Sequence, residues 1–217
     1  MPHRRQSKVR RLLHQRRRNR VAFRRVRPTL LLASNSPRRR ELLQEAGFDF
    51  EILAPQVTER FDVDLTLREL TGFNAMRKAM ATARLRPNNV VLAADTLVTI
   101  YGEVLGKPKD RNEAVAMLQR LSGRAHEVWT SVFISHLAEA KSTSFHDISR
   151  VQFRRLSRDR IDNYLTRVNP LDKAGAYAAQ GFGSEIIEKI DGSFTNVVGL
   201  PMEKTIAALA EFEITPK

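Results

Sequence analysis

The segment Ser34-Asn35-Ser36-Pro37-Arg38-Arg39-Arg40 sets two hydroxyls before a proline and three guanidinium groups after it. Ser36 is a natural helix N-cap and Pro37 a natural first helical residue, so the arginines fall in the first turn of a helix. That end of a helix is already positive, and cations there are unfavourable unless an anion offsets them. A polyphosphate would do so, because free backbone N–H groups, the hydroxyls of Ser34 and Ser36 and the guanidinium forks converge on one place. The competing reading has all three arginines pointing into water, and charge alone does not choose between the two. The chain has no Gly-x-x-x-x-Gly-Lys-Ser/Thr loop, and Gly181-Phe182-Gly183 lacks the third glycine of a dinucleotide fingerprint. Any phosphate grip is of neither kind.

Asp95 is the second candidate, an ionisable residue inside the apolar run Val90-Val-Leu-Ala-Ala-Asp-Thr-Leu-Val. Burial would raise its pKa and suit it to take a proton from water, while a metal ion or a nearby lysine would pull the pKa down again. Either environment serves hydrolysis. Taken alone, an acid that caps a backbone irregularity or pairs with an arginine is the commoner case. Lys78, Lys107 and Glu59 each also have an ordinary reading as exposed charges. His126 reads as a packed or hydrogen-bonded strand residue, because no second histidine lies at metal-site spacing.

The elements that must position these residues follow from pattern. Thr29-Leu-Leu-Leu-Ala33 reads as a buried strand, followed by the loop at Ser34 and a helix that Gly47 stops. Phe48 to Leu53 alternates as a strand, Leu67 to Leu85 reads as a helix carrying Lys78, and Asn88-Asn89 marks a turn. Val90 to Ile100 and Glu103 to Leu105 form a hairpin about Tyr101-Gly102. A helix over Arg111 to Leu121 precedes strands over Glu127 to Ser135 and Thr143 to Phe153. Ser157 opens a helix to about Arg167, Gly175 to Gly199 reads as loops with short strands, and Pro201 starts a final helix to about Phe212. Helices and strands mixed without strict alternation indicate α/β with a mixed sheet.

The 217 residues suit one substantial folding unit, and 42% hydrophobic with 28% charged residues is globular composition. No apolar run approaches the roughly 20 residues of a membrane span, nor is there a signal-like apolar stretch, so a cytoplasmic location is expected. Cysteine is absent, which excludes disulfides, thiolate zinc sites and cysteine nucleophiles. The net charge of +13 is concentrated at one end: residues 1–28 hold eleven arginines, Lys8 and no acid, whereas residues 29–217 hold 25 basic and 24 acidic side chains. Two domains of unequal character follow, a basic arm over 1–28 expected to be disordered, and a nearly neutral body over 29–217. A dispensable tail, a start site assigned too far upstream and an arm making nonspecific nucleic-acid contacts are all compatible with the arm.

In order along the chain stand Ser34-x-Ser36-Pro37-Arg38-Arg39, Lys78-Ala79, Ala94-Asp95-Thr96-Leu97-Val98, Gly106-Lys107-Pro108, Leu121-Ser122-Gly123-x-x-His126-x-Val128-x-Thr130, Asp172-Lys173-Ala174-Gly175-Ala176-Tyr177-x-x-Gln180-Gly181 and Asn196-Val197-Val198-Gly199-Leu200-Pro201. Together these resemble the motifs of the Maf family, from about Leu30 to about Thr205, with the arm outside the resemblance. The resemblance implies an α/β fold with a mixed sheet and two lobes about a central cleft, similar to that of inosine triphosphate pyrophosphatases. It implies hydrolysis of nucleoside triphosphates to the monophosphate and pyrophosphate with a divalent metal, Mg or Mn. By the same resemblance Asp95 is the general base, Ser34, Ser36, Arg38, Arg39, Lys78 and Lys107 face the phosphates, and Glu59 with Asp95 holds metal or water.

Arg38, Thr96 and Gln180 match the branch of the family acting on dTTP and UTP. The branch resembling 7-methyl-GTP pyrophosphatases carries Trp, Gln and Glu at those positions. A glutamine amide can satisfy the neutral edge of uracil or thymine, whereas a glutamate suits a cationic methylated guanine. Modified pyrimidine nucleotides are further candidate substrates. Two departures stand out: Thr58 precedes Glu59 where the family more often has an acid, and Asn74 to Met76 departs from the usual Leu-Ala approach to Lys78. The alternatives are a 7-methyl-GTP pyrophosphatase and a nucleic-acid-binding or division-linked regulator that uses the arm. A homodimer is compatible with the sequence and not required by it.

Overall fold

The computed structural model describes residues 28–60 and 64–217. The basic arm expected over 1–28 therefore lies, apart from Pro28, outside the described residues. The body is a seven-stranded mixed sheet in the order β2-β1-β3-β5-β6-β7, with β4 paired to β3. The strands are β1 (Leu30–Leu32), β2 (Phe50–Ile52), β3 (Val90–Ile100), β4 (Glu103–Leu105), β5 (Ala125–His136), β6 (Lys141–Phe153) and β7 (Ile187–Asp191). The helices are α1 (Pro37–Glu45), α2 (Leu67–Leu85), α3 (Arg111–Leu121), α4 (Arg158–Arg167), α5 (Phe194–Val198) and α6 (Met202–Ala210). β1 runs parallel to both β2 and β3, and the crossovers that parallel pairing demands are α1 and α2. The remaining pairings are antiparallel, with β5 registered against β3 from Val90 to Thr99.

Strand alternation divides β3 between two cores. Val91 and Ala93 pack with Leu31, Ala33 and the alanines Ala79 and Ala83 of α2. Val90, Leu92, Ala94 and Val98 join the larger cluster on the opposite face, with Leu43, Leu118, Ile161, Tyr164 and Leu209. Small residues on α2 let that helix lie close against the sheet, which brings its polar residues within reach of β3. Thr66 and Glu69 form a reciprocal capping box at the start of α2, so its first turn is fixed by local sequence.

The expected two lobes take the form of one continuous sheet split along one edge. β3 pairs β1 over Val90 to Leu92 and β4 over Val98 to Ile100, and the stretch between, which contains Asp95 and Thr96, pairs only with β5. The cleft opens at this gap, beyond the carboxyl end of β1, where ligands gather in open α/β sheets.

The segment from Gly175 to Gly199, expected as loops with short strands, holds a single strand, β7, together with short 3-10 turns and α5. α5 is too short to be visible from propensity. It is held by capping, because the Ser193 hydroxyl accepts from the Asn196 N–H and Gly199 ends it at φ +124°.

Candidate active site

A cleft of about 370 Å³ is lined by Ser34, Ser36, Arg38, Arg39, Glu59, Lys78, Asp95, Thr96 and Lys107, all of them singled out from the sequence, and also by Asp172, Lys173 and Tyr177. Five cations face three carboxylates in this lining, so the cleft carries a positive excess suited to a polyanion.

Asp95 is the floor of the site. It is 3% exposed and projects toward α2, where Lys78 Nζ donates to its Oδ1 at 2.6 Å and Asn74 Nδ2 donates to its Oδ2 at 3.3 Å. The same ammonium donates to Glu59 Oε1 at 2.6 Å, so one lysine joins two carboxylates. Burial pushes the Asp95 carboxyl up, and Glu59 adds to this, against the opposing pull of Lys78 and Arg39. Glu59 differs: burial raises it too, but Lys78, Lys107 and Arg39 outweigh that and hold it below the ordinary carboxylate range. Two carboxylates beside one ammonium therefore have unlike proton affinities, which is the arrangement in which one accepts a proton while the other stays charged.

The arginines of α1 part company. Ser36 caps the helix through the Arg39 N–H and Pro37 occupies the first turn, as the sequence implies. Arg38 reaches across the cleft to Asp172, with Nη1 2.8 Å from Oδ2. Arg39 is 9% exposed and commits Nε to Gly199 O at 2.8 Å, Nη1 to Ser34 Oγ at 3.1 Å and Nη2 to Thr96 Oγ1 at 3.0 Å. Two of its five N–H donors remain for a ligand. Thr96 continues the chain of contacts to Thr130 Oγ1 at 2.9 Å, so the residue after Asp95 anchors Arg39 to the sheet. Arg40 is exposed and lines a shallow surface depression with Gln44 and Phe48, away from the cleft.

The opposite wall is built by the Gly106-Lys107-Pro108 turn and the Asp172 to Tyr177 segment. The Gly175 N–H donates to Gly106 O at 3.0 Å, which ties the two together. Gly175 sits at φ +68°, and a Cβ there would meet Val98 Cγ1 at 3.1 Å, so this close approach to β3 depends on glycine. Lys107 is exposed and makes no side-chain hydrogen bond among the described residues. Lys173, which motif reading passed over as a site residue, donates to Asp172 Oδ1 at 2.6 Å and to Asn169 O at 2.7 Å. Asp172 is thus the shared counter-ion of Arg38 and Lys173, and although burial raises it, those two cations draw its pKa down. Gln180 is half-buried and stands one residue beyond Ala179, itself a lining residue; the glutamine does not line the cleft.

His126 lies outside this constellation, as its strand position implied. Its Nε2 is 2.8 Å from the Tyr177 hydroxyl, and its ring packs edge-on against Phe153 and Tyr177. Among the described residues no group of three or more His, Cys, Asp or Glu is placed to hold a metal ion. The donor set Glu59 and Asp95 still fits magnesium or manganese, because such ions keep several waters, take substrate oxygens and need only one or two protein carboxylates.

Residues 29–212 match the family model described as Maf-like protein. A relative from Bacillus pumilus named dTTP/UTP pyrophosphatase is 46% identical over 187 residues, which cover 86% of this chain and 98% of the relative. One of the same name from Bacillus velezensis is 46% identical over 185 residues, covering 85% and 97%. Among solved structures, a nucleoside-triphosphatase / dITP/XTP pyrophosphatase from Mycobacterium abscessus is similar at a TM-score of 0.42 with 15% identity, covering 85% of this chain and 95% of that one.

Proposed function

This chain belongs to the Maf family, and on that premise we propose that it hydrolyses nucleoside triphosphates, dTTP and UTP first among them, to the monophosphate and pyrophosphate. The observation that carries the reading is the buried Asp95 on the floor of a cleft whose lining cations outnumber its carboxylates. Arg38, Lys107 and Lys173 hold the phosphates, with Arg39 contributing its two uncommitted N–H groups. Asp95, pushed up by burial, accepts the proton of the attacking water. Oxygen from that water bonds to the α-phosphorus, and the bond to the oxygen bridging the β-phosphate breaks. Lys78 offsets the charge gathering on the phosphates as it does that of the two carboxylates at rest. Glu59 and Asp95 are the residues that would hold a divalent cation, which supplies Lewis-acid neutralisation of phosphoryl oxygens when bound.

Three features support the pyrimidine branch. Arg38 lines the cleft, Thr96 fixes Arg39, and the names of the relatives specify dTTP and UTP. Gln180 matches the same branch but stands outside the cleft lining, so its part in base selection is indirect, through the neighbouring Ala179. Work on a nucleotide pool fits a cytoplasmic enzyme, and among the described residues no helix is long and apolar enough to cross a membrane. Pyrophosphate release from dTTP, UTP, CTP, 7-methyl-GTP and ITP, with magnesium or manganese, tests the proposal. Turnover of dTTP and UTP above the others is expected. If no triphosphate is cut, the reaction is wrong; if 7-methyl-GTP is preferred, the branch is wrong.

A further inference from the structure

Asn74 is 1% exposed on the face of α2 that meets the sheet, next to Ala75 and Ala79. A buried amide costs stability unless each of its polar atoms is bonded. Here both are. Its Oδ1 accepts from the Arg60 N–H at 3.0 Å, and its Nδ2 donates to Arg60 O at 3.1 Å and to Asp95 Oδ2 at 3.3 Å. The amide edge thus exchanges two hydrogen bonds with one residue's backbone, as a facing antiparallel residue does in a sheet.

Arg60 follows Glu59, and residues 53–60 have no helix or strand of their own. Their position is set from α2, where one turn of helix holds three consecutive residues. Arg77 Nη1 donates to Thr58 O at 2.9 Å, Lys78 pairs with Glu59, and Asn74 clasps Arg60. Asn74 alone among these also touches Asp95 without a charge of its own. It occupies the helix stretch where the Maf pattern has Leu-Ala, and leucine could make none of these bonds.

We propose that Asn74 is a positioning residue, which clasps the backbone after Glu59 and one oxygen of Asp95 so that the two carboxylates are held as a pair facing one point. The proposal rests on the functional reading of Glu59 and Asp95 given above, and Asn74 itself touches neither substrate nor metal. The pair geometry, rather than the charge, is what Asn74 sets. Losing it leaves both acids present but unregistered.

The test compares Asn74→Leu, which keeps a side chain of similar reach but removes both hydrogen-bonding atoms of the amide, with wild type, and Asn74→Ala serves if leucine fails to fold. Amide hydrogen exchange over residues 54–60 is expected to speed by about tenfold or more while β3 and β5 keep their protection. The Mn²⁺ concentration giving half-maximal dTTP hydrolysis should rise severalfold and kcat should fall, with KM for dTTP changed less than about twofold. Unchanged exchange overturns the proposal. So does faster exchange with the Mn²⁺ midpoint and kcat at wild-type values, which would make the clasp purely structural. Failure of wild type to cut any triphosphate would sink the functional reading instead, while the exchange result would still decide whether the clasp exists.

Discussion

Two polar groups lie buried on neighbouring central strands of one sheet and meet opposite environments. Asp95 on β3 is surrounded by charge and amide: Lys78, Asn74 and, beyond the lysine, Glu59. His126 on β5 is surrounded by rings, with Tyr177 as its hydrogen-bond partner through Nε2, while Nδ1 has none among the described residues. Burial raises the carboxyl and lowers the imidazole to about 4, so in both cases it favours the uncharged form. The difference is the counter-charge. Lys78 and Arg39 keep an ionised Asp95 accessible beside the cleft, whereas among the described residues no counter-charge stands beside His126. Burial alone therefore does not mark a catalytic group; the role proposed for Asp95 rests on burial together with a charged partner at the wall of a cleft.

The sharpest way to break this comparison is to substitute both residues isosterically. Asp95→Asn is expected to lower kcat for dTTP by about two to four orders of magnitude with the fold retained, as loss of a general base commonly does. His126→Phe, which replaces the imidazole packed on Phe153 and Tyr177 with a phenyl ring, should change the rate only a few-fold. Equal losses would abolish the distinction.

Acid stability tests the other side of it. His126 has its folded pKa at about 4, below the unfolded value of 6.5, so the unfolded chain binds the proton first as pH falls. The contribution of keeping it neutral is complete above pH 6.5 and shrinks by about 3 kcal/mol on descending to pH 4. Denaturant titrations at pH 7 and pH 4.5 should show this loss in wild type and a smaller loss in His126→Phe. The same acid sensitivity in both would place the titration elsewhere.

Smaller effects sharpen the map of the cleft. Lys107→Ala removes a cation that makes no side-chain hydrogen bond among the described residues, so stability should change little, while KM for dTTP should rise about tenfold, since a charged hydrogen bond to the substrate contributes about 1.5–3 kcal/mol. Tyr177→Phe removes the partner of a buried imidazole nitrogen, and thermal unfolding should show a loss of about 1–2 kcal/mol. A rise in KM from Tyr177→Phe as large as that from Lys107→Ala would put the tyrosine hydroxyl in the binding site.

Much of the scaffold was legible because its signals are local. Ser36-Pro37 starts α1, Leu67 to Leu85 is helical throughout, and the Tyr101-Gly102 turn sits where the apolar run of β3 breaks. The body's α/β character and mixed sheet follow from the same reading. α5 escaped it, because five residues held by a serine cap and a glycine carry no periodicity. Within the site, Asp95 stood out as a charge in an apolar run. Lys173 and Asp172 did not, since a charge in a loop is ordinary until its partners across the cleft are known. Asn74 was visible only as a departure from a family pattern.

By itself the sequence determined which residue types are available and which local elements carry them: the acid in β3, the capped helix behind the serines, the lysine on α2. Periodicity, caps and turns act over a few residues, and a single chain displays them directly. Only the tertiary structure decided that Arg38 would face Asp172 while Arg40 faces outward, that Arg39 would be spent largely on Gly199, Ser34 and Thr96, and that Asn74 would close on Arg60 and Asp95. Those pairings join residues up to 160 positions apart, and their energies depend on burial and on distances of a few ångströms, which exist only once the sheet has brought the segments together.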